Sequence, residues 1–277
     1  MFSYALLIWL ISHPVISTDN NSWQTIASGL DFKNLNINQP GMNGAAQITI
    51  VRIDPEQWEL VFKGISQTGE TSGKTAREWC NSQKLVAAIN SGMFDADYKT
   101  HVGYLRSGEH LNNSHVNNYQ SVIAFDPSKK GYIPYFQIFD LDAPGVSMQD
   151  ILQDYRSAIQ NLRLIKKPGI NQWKDQDRKW SEAAIGEDKK GRILFIFSRS
   201  PFSMHDLNNI LLKSDIGIVA AQHLEGGPEA QLYLNFNKFE LDLCGSYETS
   251  FNEDDNNKNP WPVPNIIGIR AKTTSAK

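Results

Sequence analysis

Apolar and polar positions alternate with a period of two in residues 24–30, 46–53 and 58–63, which predicts strands at the start of the chain. The clearest is AQITIVRID, where Ile48, Ile50 and Arg52 share a face. The period then changes. In TAREWCNSQK, residues 75–84, Thr75 stands three before Glu78, the spacing at which each side chain bonds the other's backbone N–H, and Ala76, Trp79 and Cys80 share one side of a helix. LVAAIN, SVIAFDP and YIPYFQIF follow as further strands between polar loops, and a second helix is expected from Ser147 to about Ile159.

The second half continues in the same manner. AAIGEDKKGRILFIFSRS reads as two strands around a Lys-Lys-Gly turn. Ser203 then caps a helix whose Met204, Leu207, Ile210 and Leu211 face inward. Residues 216–234, IGIVAAQHLEGGPEAQLYL, run apolar as far as Leu224, deliver Glu225, Gly226, Gly227, Pro228 and Glu229, and turn strand-like again. Pro260, Pro262 and Pro264 withhold backbone donors, so residues 248–265 form a loop before the strand IIGIRA. With no internal repeat and no Pro/Gly/Ser linker, the pattern predicts one α+β domain over residues 18–277, a strand-rich mixed sheet core flanked by a few helices.

Composition narrows the function. Of 277 residues, 40% are hydrophobic and 10% aromatic, enough apolar surface to offset chain entropy. A net charge of -3 argues against a nucleic-acid partner. The first 17 residues, MFSYALLIWLISHPVIS, hold an apolar run from Tyr4 to Ile11 and no charged side chain. They read as a signal peptide whose removal leaves no membrane-spanning segment, so the protein is expected to be secreted or periplasmic. Because no Lys or Arg precedes the run, an uncleaved anchor stays open as the alternative. Cys80 and Cys244 lack the C-x-x-C spacing of a zinc-thiolate site and leave two readings, one disulfide or two separate thiols.

Candidate chemistry gathers at two strand ends. One is the loop after LVAAIN, with Asn90, Ser91, Gly92, Asp95, Asp97 and His101. The other is Glu225 with Gly226 and Gly227, where flexible backbone can bring N–H groups to an anion beside a carboxylate; its plainer reading is a tight turn. Arg199, between Ser198 and Ser200 and just before the Ser203 cap, can grip a phosphate with both prongs or pair with a structural carboxylate. Asp95 and Asp97 suit a divalent cation such as calcium, or an ordinary solvated turn. His101, His205 and His223 sit near element ends without the i, i+4 pairing of metalloproteases, and G-x-S-x-G, P-loop and dinucleotide motifs are absent.

Taken in order, AAINSGMF, the AAIGEDKKGRILF hairpin, SRSPFSMHDLNNILL and HLEGGPEAQLYL resemble the uncovering-enzyme-like phosphodiester glycosidase domain family across roughly residues 45–270, and SRSPFSMHD resembles its bacterial branch. Asn90, Gly92 and Phe94 match the family's first segment, Ala184, Ile185 and Gly186 its second, and Leu224, Glu225, Gly226 and Gly227 its third. Four positions depart from it: Glu182 stands where the family usually has Arg, Glu225 replaces Asp, and Pro228-Glu229 replaces Gly-Ser. The resemblance implies hydrolysis of a sugar 1-phosphodiester at its anomeric carbon, with carbohydrate or sugar phosphate as substrate. Glu225 would then be base or nucleophile. Arg199 and the amides of Gly226 and Gly227 would hold the phosphate; Asn90, with His101 or His205, would orient hydroxyls or water; Gly92, Phe94 and Glu182 would line the substrate. The rival expectations are a secreted, non-catalytic glycan-binding module on the same fold and a metal-dependent hydrolase.

Overall fold

The computed structural model describes residues 22–37 and 46–272; the expected leader, residues 1–17, lies outside them. The chain runs β1 (Gln24–Ala27), β2 (Leu30–Ile37), β3 (Ala46–Ile53), β4 (Trp58–Gly64), α1 (Ile65–Thr68), α2 (Ala76–Gln83), β5 (Ala87–Asn90), β6 (Leu105–Ser107), β7 (His110–Asn113), β8 (Ser121–Pro127) and β9 (Phe136–Asp140). It continues with α3 (Met148–Asp154), β10 (Tyr155–Asn161), β11 (Arg163–Lys166), β12 (Ile170–Asn171), β13 (Trp180–Asp188), β14 (Ile193–Phe202), α4 (Met204–Lys213), β15 (Ile218–Gly226), β16 (Gln231–Phe236), β17 (Phe239–Cys244) and β18 (Asn265–Ala271).

The strands form three sheets: an eight-stranded one in the order β1-β2-β3-β14-β13-β15-β11-β12, and two five-stranded ones, β7-β6-β10-β8-β9 and β17-β16-β5-β18-β4. Strands outweigh helices, as expected. In place of a mixed sheet, every ladder between these strands is antiparallel.

The three sheets turn one face each onto a shared core. Val51, Ile185 and Phe195 come from the large sheet, Ile123 and Ile159 from the second, Ile89 and Ile267 from the third. The opposite face of each sheet carries a helix. Met204, Leu207 and Leu211 of α4 cover Ile48, Ile50 and Ile196; Trp79 and Cys80 of α2 cover Ala88 and Ile266; Ile151 of α3 packs with Val122 and Ala158. Burial on both faces explains why these strands read as almost continuous apolar runs.

The expected helix starts are present. Thr75 and Glu78 bond each other's backbone N–H groups, and Ser203 accepts from Asp206 N. Two expectations need correction. Residues 24–30 are not one strand but the start of a hairpin that reverses at Gly29, where φ is 68° and an added Cβ would strike the Gln57 and Asp54 side chains. The helix from Ser147 stops at Asp154 instead of Ile159, because Tyr155–Asn161 is claimed on both sides by β6 and β8. Ala158 and Ile159 then face different cores, an arrangement only a strand allows.

Candidate active site

Strands β13 and β15 lie side by side, with Glu182 opposite Gly226 and Ala183 opposite Glu225, and the register slips by one residue between Ala183 and Ala184. That bulge sets the end of β15 beside the start of β13 and re-aims its last side chains. Buried there is an ion pair that neither strand shows alone: Glu182 Oε1 lies 2.6 Å from His223 Nδ1, and its Oε2 accepts from Trp180 Nε1 at 2.6 Å. Both partners of the pair are nearly inaccessible, at 1% and 5% exposure.

Three further carboxylates join them. Glu225 ends the strand, Glu229 closes the 3-10 turn Gly227–Glu229, and Glu248 comes from the loop after β17, bridged to Trp180. Their charges are felt mutually. Although part of Glu225 stays accessible, the protein packed around it pushes it up to about 8; His223 opposes this, and Glu229 and Glu248 add to it. At neutral pH Glu225 therefore carries a proton. Burial also raises Glu229 and Glu248, with Glu248 adding to the rise of Glu229, while His223 and Arg178 pull Glu248 back toward the carboxylate. For His223 burial is the largest influence and disfavours the cation, yet Glu182, by charge and hydrogen bond, carries it above its ordinary value. Tyr98, edge-on to Phe94 at 4.9 Å, is held protonated by burial and by Glu229 and Glu225, at about 12.

Glycines make this crowding feasible. A Cβ on Gly226 would come within 2.9 Å of the Trp180 ring, and one on Gly227, at φ 60°, within 2.6 Å of Glu248 Oε2. The backbone around the pair is thus already spoken for: Gly226 N–H donates to Glu225's own Oε1 at 3.1 Å, and the Glu248 carboxylate lies over Gly227. This is a turn packed against acids rather than an open amide cradle.

The other expected site residues fall into distinct places. Glu182, Glu225, Gly226 and Gly227 meet in the cluster, and Phe94 reaches it through Tyr98. Asn90 spends both polar ends on the turn, donating to Glu229 O at 2.9 Å and accepting from Gln231 N at 2.8 Å, which fixes Glu229 without offering a group to substrate. Arg199 donates to the carbonyls of Cys244, Asp255 and Asn257 and pairs with Asp255 at 2.7 Å; its guanidinium clamps the loop that carries Glu248. His101 is fully buried, bonds Gln160 O at 2.8 Å and is held down to about 4 by burial, so it is neutral; a Cβ on Gly92 would meet its ring at 2.3 Å. Both ring nitrogens of His205 are engaged, Nδ1 with Trp173 O at 2.6 Å and Nε2 with Asn209 at 2.9 Å. Cys80 and Cys244 are free thiols, the former inside the α2 core and the latter 3.8 Å from Arg199.

Asp97 is occupied with its own turn, accepting from Lys99 N, Thr100 N and Thr100 Oγ1, and among the described residues no group of three His, Cys, Asp or Glu side chains is arranged to hold a metal ion. Nor is any helix among them long and apolar enough to cross a membrane. Sequence reasoning missed Glu248, Trp180 and Tyr98 as site residues. Glu248 sits in a proline-bounded loop among several other acids, and nothing local distinguishes it.

The antiparallel fold thus gathers Glu182, Glu225, Glu229 and Glu248 around His223 at the ends of its strands, carboxyl groups near enough to feel one another's charge. The fold resembles that of the zebrafish N-acetylglucosamine-1-phosphodiester alpha-N-acetylglucosaminidase catalytic domain auto-inhibited by its pro-peptide, with a TM-score of 0.64 and 15% identity over 91% of this chain and 87% of that one. A hypothetical protein from Synechocystis is similar too, with a TM-score of 0.63 and 15% identity over 92% of this chain and 64% of that one. No curated protein sequence matches. The phosphodiester glycosidase family model matches residues 83–270, which span β5 through β18, and the chain belongs to that family.

Proposed function

We propose that this protein hydrolyses a sugar 1-phosphodiester at the anomeric carbon, with Glu225 as general acid. The observation that carries the reading is a carboxyl group kept protonated near neutral pH beside Glu248, whose carboxylate form has cationic support from His223 and Arg178. Environments that push like groups apart are what assign acid and base roles. This replaces the expectation of Glu225 as base or nucleophile, since both roles need the carboxylate that burial disfavours.

In the proposed step the bond between C1 and the bridging oxygen breaks. The oxygen leaves with the phosphate monoester and takes the proton of Glu225. A water adds to C1 and gives its proton to Glu248, which burial raises while His223 and Arg178 work to keep it a carboxylate. The products are a free sugar and a phosphate monoester. Glu182 holds His223 through Nδ1, so the imidazolium keeps its place and supplies positive charge in a cluster otherwise acidic. A phosphodiester anion can enter this cluster only while Glu225 is neutral, which ties turnover to pH below about 8. The apolar first 17 residues support export, so the substrate would be met outside the cytoplasm.

The test is sugar release from a panel of sugar 1-phosphodiesters by wild type, Glu225→Gln and Glu248→Gln. Each substitution should lower kcat by on the order of 10²–10⁴ with KM within about tenfold. Unchanged turnover in Glu225→Gln would sink the assignment of the acid, and absence of turnover in wild type across the panel would sink the substrate class.

A further inference from the structure

A second cluster of unsatisfied charge lies at the other end of the large sheet. Ile53, which ends β3, pairs with Ile193, and Ile193 with Glu187, five residues along β13 from Glu182 and so about 17 Å away. Beyond Ile53 opens a cleft of about 240 Å³ walled by Pro55, Phe125 and Tyr135 and lined by Lys130 and Lys272. A larger neighbour of about 720 Å³ shares Pro55 and Tyr135 with it.

Among the described residues, neither ammonium group of this cleft stands in an ion pair. Its two carboxylates are committed elsewhere: Glu59 to Arg270 at 2.7 Å and Asp126 to Arg156 at 2.9 Å. Glu59, with Glu56 and Asp54 nearby, still acts on Lys272 through space, but none of the three is within ion-pair distance of it. The Lys272 Nζ is buried, has no hydrogen-bond partner among the described residues, and rests 3.2 Å from the centre of the Tyr135 ring. A cation–π contact offsets only part of the desolvation of an ammonium and none of its three N–H donors. Lys130 adds a second positive charge and forms no ion pair among the described residues. An unpartnered donor of this kind in a native structure calls for an acceptor that completes it.

We propose that this cleft is a binding site, separate from the carboxylate cluster, for a small organic oxyanion, a sugar phosphate or a sugar acid, whose anionic group sits between Lys272 and Lys130. The volume accommodates a single ring with its charged group. Burial is the largest influence pressing Lys272 toward losing its proton and Lys130 adds to it, while Glu56, Asp54 and Glu59 oppose them; an anion placed between the two lysines strengthens that opposition. The site shares no residue with the acid–base cluster and stands whether or not the proposed hydrolysis is right.

Calorimetric titration of the full chain with a hexose 6-phosphate, a hexuronate, inorganic phosphate and an uncharged hexose tests it. At least one of the two organic anions should bind with Kd below about 1 mM, and the uncharged hexose should not. The tighter of the two identifies the source of the oxyanion. Lys272→Met, which keeps the packing on Tyr135, and Lys130→Gln should each weaken binding by about tenfold or more, with melting temperatures equal to or above wild type because an uncompensated charge is gone. Failure of both organic anions to bind, or equal binding by wild type and both variants, would overturn the proposal; so would inorganic phosphate binding as tightly as the organic anions, since that leaves no role for the ring.

Discussion

Glu225 should be a residue that function needs and stability does not. Ionising it in the folded chain is harder than in water, and the span from an ordinary 4.5 to about 8 sets the scale. At about 1.4 kcal/mol per pH unit this bounds the cost near 5 kcal/mol. The sign follows from linkage. The folded state holds this proton more tightly than the unfolded one, so the contribution is fully present below about pH 4.5, declines as pH rises, and is gone above about 8. Glu225→Gln mimics the protonated form at every pH and should stay within about 1 kcal/mol of wild type at pH 5. At pH 9 it should melt higher by up to about 10 °C, taking roughly 2 °C per kcal/mol for a chain of this size. Thermal unfolding at the two pH values, followed by circular dichroism, reads this directly, with turnover measured on the same samples. A melting difference that is the same at pH 5 and pH 9 would refute the argument that burial keeps Glu225 protonated.

Three other outcomes follow from the same geometry. His223→Ala strips Glu182 of its buried partner and should destabilise by about 3–5 kcal/mol, readable as a lower urea midpoint; with the cation gone, the alkaline limb of the pH–rate profile should move upward. Gly227→Ala forces a side chain into positive φ and against Glu248 Oε2, costing about 1–3 kcal/mol; it should depress kcat more than Gly191→Ala, which also sits at positive φ but meets nothing within 4 Å. Arg199→Ala releases three backbone carbonyls of the 244–257 segment, so limited proteolysis should cut there at least about tenfold faster than in wild type, and kcat should fall with the loss of Glu248's support.

How much of this was legible beforehand depended on where each signal resides. The capping boxes and caps at Thr75 and Ser203, the hairpin from Ala183 to Ser200 and the loop before β18 are set by neighbours within a few residues, and the structure has them where the pattern put them. Tyr155–Asn161 carries no local mark of a strand strong enough to end the preceding helix; it became one because β6 and β8 offered ladders on both sides. The carboxylate cluster divides in the same way. Glu225, with its two glycines, was visible as a strand end, whereas the roles of Arg199, Asn90, His101 and His205 were not. Their side chains look alike in sequence whether they face a substrate or a carbonyl.

The sequence by itself determined that this chain builds apolar strands buried on both faces, caps its helices, and brings Glu225 out at the end of one strand, because burial period and capping are local properties of residue order. Only the tertiary structure decided that Glu182 would clasp His223 across 41 positions, that Glu248 would arrive from a distant loop, and that Glu225 would hold its proton. A shifted pKa is the sum of desolvation and charge from every element packed around a group, and in this fold those elements come from several separate stretches of the chain.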